Sequence, residues 1–183
     1  AWLFALRLLG PGNLTDNDQE RPAAYAVDVM ANGNWILQHD WMGDPASKPP
    51  LYTWLVAAAS LPWGRVTLPT LYLPCALAML GSALLIHHAT RQTAGGRAAL
   101  LAGFFLLANP LTAKLVALAR TDAVFTFGVT LTAVLAASTQ RRPACWTWAW
   151  LAAALATLTK GPLGLLLGFG GLLGPWLARR DRK

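Results

Sequence analysis

Apolar residues run along this chain in long blocks, and the polar stretches between them are short except in one place. Residues 1–12, AWLFALRLLGPG, read as the end of a helix closed by Gly10-Pro11-Gly12. Residues 13–64 form the one long polar region. Apolar spans follow at 68–90, 98–119, 122–139, 144–159 and 162–178, each near the ~20 residues a helix needs to cross hydrocarbon. The links are RQTAGGR, the ART near 120, QRRPA and the TKG of 159–161. The block LYTWLVAAASL at 51–61 is too short to cross and is closed by Pro62 and Gly64. It reads as a helix lying in the membrane interface, with Tyr52, Trp54 and Trp63 at headgroup level. Within the polar region, Pro22 suits the first turn of a helix and Gly33 its left-handed end, which predicts a helix over about 21–32. Ala23, Ala26, Val27 and Met30 would be its apolar stripe.

Composition settles the solvent. Hydrophobic residues make up 55% of the 183 positions and charged residues 13%, about half the charged share of a soluble domain. The expected fold is therefore all-α, a polytopic transmembrane helix bundle with juxtamembrane helices in a long first outer loop. Its layout is a partial transmembrane helix at 1–12, the loop at 13–64 and about five transmembrane helices over 68–178. Cys75 and Cys145 stand in or beside apolar runs without a metal or redox spacing, and read as small apolar fillers. A chain that opens inside an apolar run and stops soon after another also reads as a piece of a longer protein, inactive by itself.

Charge gives the orientation, because short cytoplasmic loops retain Lys and Arg. Counting span by span, one side receives Arg91, Arg97, Arg141, Arg142 and the basic ARRDRK tail, and on that side falls the whole net charge of +7. That side is expected to be cytoplasmic, so the basic balance reports topology and gives no reason to expect nucleic acid. The loop 13–64, the Arg120–Asp122 junction and the Lys160 hairpin then all face outward, towards the periplasm or its equivalent.

Chemistry concentrates at that face. Asp16, Asp18 and Glu20 cluster just before the expected helix. Capping explains one or two of them, since acids near unpaired N–H groups gain about 0.3–1 kcal/mol each. The competing reading is a carboxylate acting as general base on an incoming hydroxyl, with cations nearby to hold a phosphate leaving group. Lys48, set before the rigid Pro49-Pro50, and Lys160, between two apolar runs, are candidate cations, against simple snorkelling as the bland alternative. Arg120 and Asp122 flank a span junction and, on the bland reading, pair with each other.

DQERPAAYAVDVMANGNWILQ followed by SKPPLYTWL resembles the first outer loop of bacterial glycosyltransferases of family 39, the superfamily of protein O-mannosyltransferases and lipid A aminoarabinose transferases. The later LTKGP and the acid after an outer-face Arg, in Arg120-Thr121-Asp122, fit the same pattern. The resemblance covers nearly the whole chain as the N-terminal part of a family member. It implies a GT-C fold, inverting transfer outside the cytoplasm from a polyprenyl-phosphate-linked sugar, and a lipid or protein acceptor presenting a hydroxyl or phosphate. Carried over by position, Asp18 is the catalytic base and Lys48 contacts the donor phosphate. Lys160, Asp122, Arg120 and Tyr52 fall at substrate-binding positions, with Asp16, Gln19 and Glu20 as helpers. Gln19 replaces the family's usual Glu and Pro22 a common Tyr, so no cofactor is assigned and a divalent metal stays open. The rivals are a transporter or flippase, expected to carry polar residues near mid-span and broken helices in related halves, and a non-catalytic scaffold.

Overall fold

The computed structural model describes residues 2–10, 12, 14, 17–139 and 142–170. Helices form in the apolar blocks and once in the polar loop, where α2 lies: α1 (Trp2–Leu9), α2 (Asn17–Asn32), α3 (Leu51–Ser60), α4 (Leu68–Ala108), α5 (Pro110–Ala117), α6 (Thr121–Ser138), α7 (Cys145–Lys160) and α8 (Leu163–Gly170). Among the described residues there is no strand, only an isolated antiparallel bridge between His39 and Pro45. By length and composition α4 and α6 suffice to cross a membrane.

Local chemistry explains where the helices depart from the sequence reading. The RQTAGGR link is helical up to Gly95, and only that residue, at φ 85° and ψ 175°, breaks α4. Glycine alone enters this region without a Cβ penalty. The span expected at 98–119 is split at Asn109. Pro110 has no N–H and crowds the residue before it, so Asn109 turns extended (φ −68°, ψ 129°) and its side chain accepts a bond from the Leu111 N–H at 2.8 Å.

In the long loop, α2 starts at Asn17, four residues before the expected boundary, and Pro22 lies inside it. The proline removes only the bond that would return to the Asp18 carbonyl, so the helix tolerates it near its start. Its buried face also differs from the expected stripe: Tyr25, Ala26 and Val29 are covered while Val27 is half exposed. The larger Tyr25 and Val29 repeat at the same helical spacing and supply more apolar area. Gly33 closes the helix at φ 72°, its N–H donating to the Val29 carbonyl.

The main core lies where α2, α3, α4 and the α5–α6 junction meet, around Ala26, Tyr52, Val56, Tyr72, Met79 and Ala119. Tyr52 belongs to it, fully buried with its hydroxyl donating to the Leu71 carbonyl at 2.8 Å. The headgroup position expected for it is therefore not the one observed; α3 turns this residue towards α4. Further along, α6, α7 and α8 approach closely through small residues, with Gly128 and Gly164 against Ala156 and Gly168 against Thr132.

Candidate active site

The first turn of α2 carries Asp18, Gln19 and Glu20, so these two acids sit within the helix start and not before it. Asp18 is exposed, with Oδ2 3.2 Å from Arg120 Nη2 and Oδ1 3.7 Å from Lys48 Nζ. The two cations come from different places in the chain. Lys48 enters just ahead of Pro49 and Pro50, which lead the backbone into α3. Arg120 stands at the N-cap of α6 in extended conformation. Two residues on, Asp122 in the first turn of α6 meets Lys160 from the last turn of α7. Lys160 Nζ also lies 5.6 Å from the Phe125 ring centroid.

A short extended segment organises these groups. Between α5 and α6, Leu118 (φ −111°, ψ 134°) and Arg120 (φ −129°, ψ 157°) leave helical geometry. The buried Gln19 accepts the Ala119 N–H on Oε1 at 3.3 Å, and the Cys75 thiol approaches the Arg120 carbonyl at 3.3 Å. From α1, Arg7 donates through Nε to the Ala117 carbonyl at 2.9 Å and through Nη2 to the Tyr72 hydroxyl at 2.6 Å.

The rest of the loop is folded on two further carboxylates. Asp28 accepts bonds from Asn32 (2.7 Å), Asn34 (3.0 Å) and the His39 N–H (2.8 Å). These donors, Asn32 foremost, hold its carboxyl below the usual carboxylate range. Asp40 accepts from the Met42 and Asp44 N–H groups, and its Oδ2 lies 3.7 Å from Arg21 Nε.

Of the candidate residues, Asp18, Lys48 and Arg120 come together, and Asp122 and Lys160 form a neighbouring pair. Arg120 and Asp122 pair with other partners in place of each other. Tyr52 lies in the core behind the cluster, and Glu20 shares the turn of Asp18. Asp16 falls outside the described residues. Sequence reasoning missed the backbone contact of Gln19 and the Arg7 clamp. A neutral amide inside an acidic run, and an Arg inside an apolar helix, were the available signals for each. Among the described residues no group of three or more His, Cys, Asp or Glu is arranged to hold a metal ion.

A family model described as dolichyl-phosphate-mannose-protein mannosyltransferase matches residues 47–180. The chain belongs to this family. Its members are the relatives that the Lys48–Tyr52 segment pointed to, and the match takes in Lys48, Arg120, Asp122 and Lys160. Two crystal structures of ArnT from Cupriavidus metallidurans share the fold, one in the apo state and one bound to undecaprenyl phosphate. Each superposes with TM-score 0.81 at 23% sequence identity, over 97% of this chain for the apo form and 98% for the bound form. The mannosyltransferase-family chain spans about a third of the length of those solved proteins, 34% and 36%. No curated protein sequence matches it. The GT-C-type bundle expected from the resemblance is thus the fold, and the family is one of integral membrane proteins.

Proposed function

We propose that the protein to which this chain belongs is a membrane glycosyltransferase that moves a sugar from a polyprenyl-phosphate-linked donor to an acceptor hydroxyl or phosphate on the outer face of the bacterial inner membrane. The observation that carries this reading is the convergence on one carboxylate, Asp18, of two cations drawn from segments far apart in sequence. Family membership and the ArnT-like fold support the same chemistry.

In the proposed step, an Asp18 oxygen takes the proton of the acceptor hydroxyl while the acceptor oxygen forms its bond to the sugar C1. The bond between C1 and the phosphate oxygen breaks, and its electron pair leaves with the polyprenyl phosphate. The departing phosphate gains negative charge as the bond opens, so cations fixed nearby act where charge develops. Lys48 and Arg120 stand beside the base, and Lys160 lies next to them through Asp122. Attack opposite the leaving phosphate inverts the sugar carbon. The proposed partners are the lipid-linked donor, a lipid or protein acceptor and the bilayer. The transporter reading is less well supported, because the charges of α6 and α7 lie at their ends, in Asp122 and Lys160.

An Asp18→Asn variant of the intact protein should insert normally and lose transfer of radiolabelled sugar from a polyprenyl phosphate donor. Near-normal transfer by that variant sinks the assignment.

A further inference from the structure

The extended turn between α5 and α6 is held by side chains from three other helices, and this has consequences for the site. Residues 118–120 leave helical geometry in a covered place, with Ala119 fully buried. A turn of this kind exposes backbone groups that neither flanking helix can satisfy, and each needs a partner from outside. Arg7 of α1 takes the Ala117 carbonyl, Gln19 of α2 takes the Ala119 N–H, and Cys75 of α4 takes the Arg120 carbonyl. The Arg7 guanidinium is itself fixed on α4, bonded to the Tyr72 hydroxyl and 4.5 Å from the centroid of that ring. The turn then delivers Arg120 to Asp18 and, two residues later, Asp122 to Lys160.

We propose that Arg7 and Gln19 are positioning residues, which clamp the 117–120 turn and so set the contact between Arg120 and the Asp18 carboxylate. The inference rests on the proposed transfer reaction for its kinetic side only. Gln19 and Asp18 are neighbours on one helical turn, so a single residue pair of α2 carries both the base and the contact that aims its cation. The amide suits this task because it accepts a backbone bond without adding a second negative charge beside Asp18. A carboxylate would make the same bond and compete for Lys48 and Arg120.

The test compares Gln19→Met with Gln19→Glu in the intact protein reconstituted in lipid nanodiscs. Methionine keeps the volume and removes the acceptor, leaving a buried N–H without a partner. That raises local opening about tenfold or more. Hydrogen–deuterium exchange of the peptide covering 117–121 should therefore quicken by about that factor in Gln19→Met and return towards wild type in Gln19→Glu. Sugar transfer should follow the same order. Gln19→Glu restores the acceptor while Gln19→Met keeps only the volume, so a side chain that merely fills space would not separate the two variants. If Gln19→Met is not recovered from membranes, Arg7→Lys carries the test with the same readouts, since a lysine keeps the charge but cannot span Ala117 and Tyr72 together. Unchanged exchange at 117–121 in the variant tested overturns the inference, as does equal exchange in Gln19→Met and Gln19→Glu. Faster exchange in a wild-type background that transfers no sugar would instead sink the proposed function and leave the clamp standing.

Discussion

The Lys160 hairpin depends on one glycine, and the cost of filling that position can be worked from the packing. A Cβ added at Gly164 would lie 2.6 Å from both Ala156 C and Thr157 N, and 3.0 Å from Ala156 Cβ. Carbon atoms rest about 3.5–4.0 Å apart, so the overlap is about 1 Å. Two of the three obstructing atoms are backbone, which cannot turn aside as a side chain end can. α8 must then shift away from α7 by about that distance, and overpacking of this kind costs about 1–3 kcal/mol. Gly164→Ala should sit at the upper end of that range. Gly103→Ala is the matched control: it lies inside α4 and its added Cβ meets nothing within 4 Å. There alanine should stabilise by about 0.5–1 kcal/mol. Reversible denaturation in mixed detergent micelles measures both. The reasoning is refuted if the two substitutions differ by less than about 1 kcal/mol, because the structure separates them by about 3.5–4 kcal/mol. Lys160 lies four residues before Gly164, across the Gly161 turn at φ 71°. The same shift should loosen its contact with Asp122.

Two further outcomes test the polar face. Asp122→Asn and Lys160→Met should be non-additive in stability by about 0.5–1.5 kcal/mol, modest because the side chains are 35% and 30% exposed; a double-mutant cycle closing to within about 0.3 kcal/mol removes the pair from the account. Asp28 binds its proton less readily in the folded loop than in an unfolded chain, so its contribution is full above the ordinary carboxylate value of 3.8 and is lost as pH falls through the depressed native value. Exchange of the His39 amide, corrected for its intrinsic pH dependence, should therefore accelerate only below about that ordinary value, and Asp28→Asn should abolish the dependence.

Much of this arrangement was legible in the sequence because two strong signals govern membrane chains. Block length placed helices in the apolar runs, and the retained arginines gave the expectation that the loop, the Arg120 junction and the Lys160 hairpin share one face; Asp18 meets Lys48 and Arg120, and Asp122 meets Lys160. What escaped was decided by single backbone positions. Asn109-Pro110 carried a readable break, hidden inside a run apolar enough to look continuous. The start of α2 was misplaced because Pro22 fits a first turn better than a second one, yet losing one bond near a helix start costs little against burial of Tyr25 and Val29. Tyr52 was assigned by resemblance to a substrate position, and only the packing of α3 on α4 shows that its hydroxyl is already taken. No spacing rule reveals that Gln19 reaches Ala119, since the two are brought together by the fold and lie a hundred positions apart.

The two charge groupings at the site differ in what holds them. Asp122 lies in the first turn of α6 and Lys160 in the last turn of α7, so each charge stands at the helix end whose dipole favours it. That pair is supported by its own helices. Arg120 stands at the N-cap of α6, the end that disfavours a cation, and Lys48 precedes α3 in a similar position. Neither is held by its own helix; an anion in front of them is what offsets the unfavourable dipole, and among the described contacts Asp18 supplies it. A phosphate carries more negative charge than one carboxylate and accepts from both cations at once, so it competes for them on favourable terms. In the proposed reaction the donor phosphate would thus draw Arg120 and Lys48 towards itself, which opens the Asp18 oxygens to the acceptor hydroxyl as the donor is seated.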